Sequence, residues 1–475
     1  MQQHLALGPE VDDHPTTKKI MQDEAEFLAR ERHNPASPYY RGEVIQASEA
    51  ETPTPAKASD RRRFMIGTMA ATMGSMALGR QAFAADEASP GSRFRKVPED
   101  ASKIQGVGVG ADDGGYGLRS QFETEVRQRF QTSTAESSWS FTPLQNSMGM
   151  ITPSGLHFER HHGGIATIDP TKHMLYVHGM VNNPQKFSML SLRRFPFVSR
   201  IMFIECSGNG LTEWVEPKMK TVQGTHGLTS TSEWVGIPLS TILNEVGLKP
   251  GAKWLLAEGG DASAMTRSIP IEKAMKDCLL AFGQNGEAIR PEQGYPVRLI
   301  VPGYEGNMSI KWLRRLEISD TPFMTREETS KYTDLMPDGR AMQFSFIMEA
   351  KSVITSPSGE MVLQQPGFHE ITGLAWSGRG KVKKVEVSVD GGKNWHEAKL
   401  HGPILPICHT RFSFPWEWDG KETIIQSRCI DETGYVQPTI KELADERGTS
   451  SVYHLNGIQS WKVASTGEVS NVHHY

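Results

Sequence analysis

The chain has 475 residues, 37% hydrophobic and 22% charged, with a formal net charge of −4. That length buries a large core and divides into two or more domains, and the near balance of charge excludes the dense basic surface that nucleic acid or an anionic membrane selects. Four irregularly spaced cysteines, Cys206, Cys278, Cys408 and Cys429, exclude a disulfide framework, and without a C-x-x-C-H run the chain carries no c-type haem of its own.

From the N-terminus, Arg61, Arg62, Arg63 and Phe64 precede a weakly apolar run, FMIGTMAATMGSMAL, and a small-x-small signal at Ala82-Phe83-Ala84. The pattern predicts a twin-arginine export leader, cleaved after Ala84, that delivers a folded protein to the periplasm. The run falls short of the roughly 20 residues that span a bilayer, so no membrane anchor is expected after processing. The polar residues before the arginines read as a disordered extension or as sequence upstream of the true start, which makes 1–84 an extension plus leader. Residues 85–135, rich in Gly, Asp, Ser and Arg, read as an extended arm or linker.

Between 136 and 344 strands alternate with short helices, a mixed α/β or α+β pattern. In ITPSGLHFERHHGG, Arg160 is flanked by His157, His161 and His162. Read alone, the segment admits a zinc site, an anion-binding loop built on the arginine fork, or solvated loop histidines. The apolar run Ile201 to Ile204 predicts a buried strand, after which Cys206-Ser207-Gly208-Asn209 turns sharply. Cys206 is then either a thiol aimed into a cleft or a small buried hydrophobe.

Leu239, Ile242, Leu243 and Val246, between Pro238 and Gly247, predict a helix, and a second is expected from about Glu272 to Phe282, with Cys278 on it. WLLAEGGD, YPVRLIVPG and IKWLRRLEIS read as strands. Arg298, Ser309 and Lys311 around the Gly-rich loop 303–306 suit a phosphate, or else form a hairpin whose charges face water. After 344 the texture becomes all-β: Val385, Val387 and Val389 alternate before Asp390-Gly391-Gly392, and FSFPWEW and TIIQSRCID follow at sandwich spacing.

Taken in order, ITPSGLHFERHH, the Cys206 turn, Trp234 in EWVGIPLSTIL, Asp261 in AEGGD, GYPVRLIVPGYEG, SIKWL, VEVSVDGGKNW and DETGYVQP resemble the sulfite oxidase family of molybdopterin enzymes from about residue 140 to the end. The resemblance implies an α+β molybdopterin-binding catalytic domain over 136–344, followed by an immunoglobulin-like dimerisation domain over 345–475. It implies one Mo-molybdopterin per chain, with Cys206 as the metal's protein ligand. Arg160 and Tyr332 join Cys206 as catalytic residues, and Arg160, His162, Asp261, Gln293, Arg298, Ser309 and Lys311 join it in holding the cofactor. A soft thiolate suits a high-valent metal already bound by a dithiolene.

Departures from the family pattern shape the expected substrate. Gly210, Leu211 and Asn456 stand where other members are expected to place arginines, and Gln293 replaces a histidine. Fewer cations weaken the hold on a free dianion such as sulfite. Within the family the pattern is therefore most similar to the sulfane dehydrogenases of thiosulfate oxidation, which act on sulfane sulfur linked to a sulfur-carrier protein. Such a chain transfers oxygen from water, passes electrons to a c-type cytochrome subunit, and pairs as a homodimer within a heterotetramer. A sulfite dehydrogenase, and a non-catalytic assembly subunit of a sulfur-oxidising complex, are the alternatives.

Overall fold

Alternating burial builds the N-terminal half. In the strand Leu279–Gln284, Leu279 and Ala281 enter one core cluster and Leu280 another, and Leu299 and Ile300 of Arg298–Ile300 divide the same way. This sheet is covered on both faces. The computed structural model describes residues 119–474 apart from 121, 131, 133 and 451. The leader expected over 1–84, and the expected arm before residue 119, lie outside the described residues.

The sheet runs in the order Glu287–Ala288, Leu279–Gln284, Thr229–Pro238, Val198–Glu205, with Arg298–Ile300 also paired to Leu279–Gln284. A second sheet orders Gln185–Ser188, Met174–Gly179, Leu313–Ser319, Trp254–Gly259 and Thr266–Pro270. Only the central pair of that sheet, Leu313–Ser319 with Met174–Gly179, is parallel. Leu175, Val177, Leu255, Leu280, Leu299 and Leu316 share one core with Leu239, Ile242, Leu243 and Val246 of the helix Leu239–Val246, which starts after Pro238 and ends at Gly247 as predicted.

The second helix is shorter than expected. Ile271–Lys276 is helical, Cys278 lies in the connection, and Leu279–Gln284 is a strand. The strand is paired to Thr229–Pro238 on one side and, on the other, to Arg298–Ile300 at 279–281 and to Glu287–Ala288 at 283–284, and this ladder overrides the helical reading of KAMKDCLLAF. Within the segment read as an arm, Gln128–Phe130 is a strand that pairs with Trp139–Phe141, itself paired to Glu159–Arg160.

The C-terminal half is a sandwich. Lys351–Ser356, Gly367–Trp376, Thr410–Trp418 and Lys399–His401 form one sheet, and His396–Glu397, Val382–Ser388, Thr423–Asp431, Ser460–Val463 and Val469–Val472 the other. Trp376, Val385, Val387, Phe412, Ile425 and Trp461 fill the core between them, and Phe203 from the N-terminal half enters the same core. An α+β half followed by an all-β sandwich is the fold class read from the sequence. All four cysteines are free and buried, and Cys408 Sγ donates to the Ile201 carbonyl at 2.8 Å, so Cys408 and Cys429 are not bridged. Among the described residues no helix is long and apolar enough to cross a membrane.

Three buried histidines set an acid limit on stability. Burial holds His157, His226 and His409 each down to about 3, against an unfolded value near 6.5. Their neutral folded forms contribute stability that is complete above pH 6.5 and is lost as pH falls from there toward 3, because the unfolded chain takes up the protons first. Each is expected to cost roughly 1.4 kcal/mol at pH 5.5. Denaturant midpoints measured between pH 7.5 and 5 should therefore fall steadily; a flat profile contradicts the assignment.

Candidate active site

Period two also aims the cysteine. Along Val198–Glu205, Met202 and Ile204 turn toward the cluster that holds Phe158, Trp234 and Cys206, whereas Phe203 turns to the sandwich core. Cys206 continues the first face and lines a cleft of about 670 Å³, its open mouth included. The turn after it is pinned: Cys206 N donates to Leu228 O at 3.0 Å, Leu228 N to Asn209 Oδ1 at 3.1 Å, and Asn209 Nδ2 to Glu205 Oε1 at 2.9 Å. From the other side Gly306 presses on this backbone. A Cβ at 306 would lie 2.7 Å from the Glu205 carbonyl oxygen, so only glycine permits the approach.

Every residue predicted for the site lines this cleft: Arg160, His162, Cys206, Asp261, Gln293, Arg298, Ser309, Lys311 and Tyr332. Two of the cations sit deep. Arg298, 3% exposed, donates Nη1 to Gln293 O at 2.9 Å and Nη2 to Ser309 O at 3.0 Å, while its Nε has no protein partner. Burial alone brings its pKa to about 9. Lys311 Nζ donates to the carbonyls of Arg160 and Glu292, both at 3.1 Å, and to His161 Nδ1 at 2.9 Å. Burial first, and then the Arg298 charge, hold it well below the usual lysine range.

Cations desolvated on carbonyls are costly, and an anion in the cleft relieves that cost. His157 adds a complementary group. Its Nδ1 faces the Phe158 carbonyl at 3.0 Å and must carry the proton, which leaves Nε2 a buried acceptor with no partner. Gln293 Nε2 donates to Phe158 O at 2.9 Å, Ser309 Oγ accepts from Val301 N at 3.1 Å, and Asp261 Oδ1 accepts from Met265 N at 3.2 Å. The interior is thus shaped for a ligand that bears both anionic oxygens and N–H donors.

The histidines of ITPSGLHFERHH disperse. His161 Nε2 donates to Glu159 Oε2 at 2.7 Å, while His157 stacks on Phe158 and meets the edge of Trp234. Among the described residues no group of three His, Cys, Asp or Glu side chains is arranged to hold a metal ion, so the zinc reading is not the arrangement found. His162 belongs to a different network. Arg160 Nη2 can only donate to His162 Nδ1, at 3.3 Å, which places the imidazole proton on Nε2, 2.5 Å from Tyr332 Oη. The phenol oxygen accepts that proton's hydrogen bond and keeps its own hydrogen free for the cleft.

Burial, and then the Arg160 charge, hold His162 at about 3, and burial pushes the Tyr332 phenol far above its ordinary value. Both are neutral at ordinary pH. Arg160 itself lies over the Trp139 ring, 5.0 Å from its centroid, and the two are register partners on adjacent strands. Trp139, Leu211, Val452 and Tyr453 form the outer mouth with Lys331, a ring that motif reading missed. Asn307, in the Gly-rich loop, was also missed; it lines the cleft and donates to Ser207 Oγ at 3.0 Å. An amide inside YEGNMSIK was the available signal.

The three positions where arginines were expected meet different fates. Gly210 has φ +85°, a backbone that strains any side chain, and a Cβ there would lie 2.6 Å from Leu455 Cδ2 and would have to displace it. Leu211 lines the mouth. Asn456 is buried beneath the sandwich, donating to Ala350 O at 3.3 Å and Tyr435 Oη at 3.0 Å, and does not line the cleft.

Two family models match: an oxidoreductase molybdopterin binding domain over residues 162–327 and a Mo-co oxidoreductase dimerisation domain over 343–460. The chain is 33% identical over 317 residues to NADH nitrate reductase 2 of Phaseolus vulgaris, spanning 58% of this chain and 35% of that protein. It is 30% identical over 345 residues to the mitochondrial sulfite oxidase of Mus musculus, spanning 66% and 62%. It therefore covers less than two thirds of the length of these curated relatives. The crystal structure of the sulfane dehydrogenase SoxCD from Paracoccus pantotrophus superposes with a TM-score of 0.76 at 48% identity, over 81% of this chain and 99% of that one.

Proposed function

The chain belongs to the sulfite oxidase family of molybdopterin oxidoreductases, and from that premise we propose that it is a periplasmic sulfane dehydrogenase. Its cofactor is Mo-molybdopterin. The cleft fits that group: the unpartnered Nε of Arg298 and the desolvated Lys311 answer its phosphate, and the unpartnered acceptor of His157 answers pterin N–H groups. Arg298, Ser309 and Lys311, with His162, Asp261 and Gln293, would hold it, and Cys206 would ligate the metal. When bound, the molybdenum supplies two-electron oxygen-atom transfer, with water as the oxygen source.

The chain's own residues do the rest. Burial raises the free Cys206 thiol above its ordinary value while Arg160 opposes the rise, so loading the site releases a proton from sulfur. Arg160 presents its guanidinium to an incoming anionic sulfur, braced on Trp139. Tyr332, oriented by His162, offers a neutral O–H donor next to that cation. Trp139, Leu211, Val452 and Tyr453 narrow the mouth with apolar surface and limit water.

The observation that carries the choice of substrate is the mouth: Leu211 lines it where an arginine was expected, leaving Arg160 as the guanidinium there, against Trp139. That suits sulfur delivered as the end of a carrier arm better than a free dianion, and the likeness to a sulfane dehydrogenase supports the same reading. Electrons then pass one at a time to a c-type cytochrome subunit, within a heterotetramer that pairs two copies of this chain through their sandwiches. Export by the twin-arginine route places the reaction in the periplasm.

The test is a comparison of substrates on the purified complex of known molybdenum content, with cytochrome c as acceptor. A cysteine-linked thiosulfonate on the carrier is expected to exceed sulfite in kcat/KM. The reverse order identifies a sulfite dehydrogenase, and a molybdenum-free preparation that still binds its partners identifies an assembly subunit.

A further inference from the structure

We infer that the sandwich is part of the metal site: a buried clasp between Glu205 and the sandwich residues Lys351 and Trp376 sets the position of Cys206. This rests on the reading of Cys206 as the ligand. Glu205 and Cys206 are consecutive at the end of Val198–Glu205, the thiol lining the cleft and the carboxylate reaching the sandwich. Glu205 is 0% exposed. Its Oε1 accepts from Lys351 Nζ at 2.6 Å and from Asn209 Nδ2 at 2.9 Å, and its Oε2 accepts from Trp376 Nε1 at 2.7 Å.

The donors are themselves fixed. Lys351 and Trp376 are opposite each other in the ladder of Lys351–Ser356 with Gly367–Trp376, and Asn209 belongs to the turn that follows Cys206. One carboxylate therefore joins two sandwich strands to both ends of the cysteine turn. The contact continues on either side. Val198–Glu205 is the last strand of its sheet, and its outer edge is covered by the sandwich: Phe203 N donates to Ile407 O at 2.9 Å and Cys408 Sγ to Ile201 O at 2.8 Å. His454 N donates to Ser207 O at 2.8 Å.

A buried ion pair returns little net stability once its desolvation is counted, and an apolar pair of equal volume often does as well. Three donors converging on one carboxylate do something an apolar pair does not: they fix a backbone position from which the next side chain departs. Glu205, Lys351 and Trp376 are thus positioning residues, and none of the three lines the cleft.

The test uses the molybdenum-loaded protein and its Glu205→Gln, Lys351→Met, Trp376→Phe and Glu205→Gln/Lys351→Met variants, read by molybdenum content, the thiolate-to-molybdenum absorption band, kcat, KM and thermal midpoint. Glu205→Gln is expected to shift the band and lower kcat about 10- to 100-fold, as outer-shell changes at metal sites do, with KM nearly unchanged. Lys351→Met strands a buried charge and lowers the thermal midpoint. The double variant removes that charge and should recover the midpoint but not the band or kcat, a split that a merely structural role does not produce.

Trp376→Phe deletes one N–H and keeps the ring volume, so it carries the test if Glu205→Gln fails to fold; it should move the band in the same direction by less. A wild-type band and kcat in the folded variants overturns the proposal. Cys206→Ser, measured in parallel, separates the failures: a band that survives it sinks the ligand reading, whereas a band lost there but intact in the clasp variants sinks the clasp alone.

Discussion

Cys206→Ser is expected to stop turnover and erase the thiolate-to-molybdenum band while leaving the fold in place. The side chain is 8% exposed, and the hydrogen bonds that shape its turn run through backbone and Asn209, which the substitution leaves intact. Serine fills nearly the same volume. Its hydroxyl is a harder donor that does not ionise in a buried setting, so the soft charged ligand is lost without a large cavity. The loss in kcat should exceed the roughly 10- to 100-fold that outer-shell changes cost at metal sites. The unloaded variant should lose about 1–3 kcal/mol if the hydroxyl finds no partner. Parallel measurements of molybdenum, absorption and far-UV circular dichroism decide the matter, and a variant that retains both band and turnover removes Cys206 from the metal.

The contrast between what the sequence disclosed and what it hid has a physical basis. The cysteine turn, the Arg160 segment and the Arg298–Lys311 loop are contiguous: strand patterning followed by glycine-rich punctuation announces each one, and the structure brings all three to one cleft. The second helix misled because periodicity within KAMKDCLLAF cannot register that Leu279–Gln284 is claimed by strands on both sides. Trp139 was hidden for a related reason. It reaches the mouth through its register with Arg160, and strand pairing of that kind is a tertiary fact. The Glu205–Lys351 contact, between residues 146 apart in sequence, has no local signature at all.

Arg160→Gln supplies the second large effect, on the substrate side instead of the metal. Arg160 lines both the inner cleft and the mouth, whereas Arg298 and Lys311 are committed inside to backbone carbonyls and, on the proposed reading, would face the cofactor's phosphate. A charge-assisted hydrogen bond to an anionic sulfur group contributes about 1.5–3 kcal/mol, so kcat/KM should fall roughly 10- to 150-fold. Arg160→Lys keeps the charge but gives up the planar fork and the stacking on Trp139, and should recover only part of the loss. Ionic strength is the discriminating readout: KM of the wild type should rise with salt and that of Arg160→Gln should not.

The same substitution also acts on its neighbour. The Arg160 charge is the second cause holding His162 at about 3, after burial, so removing it raises the histidine's pKa while burial still keeps it under 6.5. Protonation of His162 then begins at a higher pH, and with Nδ1 carrying a proton the ring has no acceptor left. Any acid limb of kcat/KM that His162 governs should therefore move upward in Arg160→Gln relative to wild type. If the limb stays in place and salt sensitivity persists in the variant, the anion is held by another group, and Arg160 is a brace for Trp139 and His162 instead of the substrate's partner.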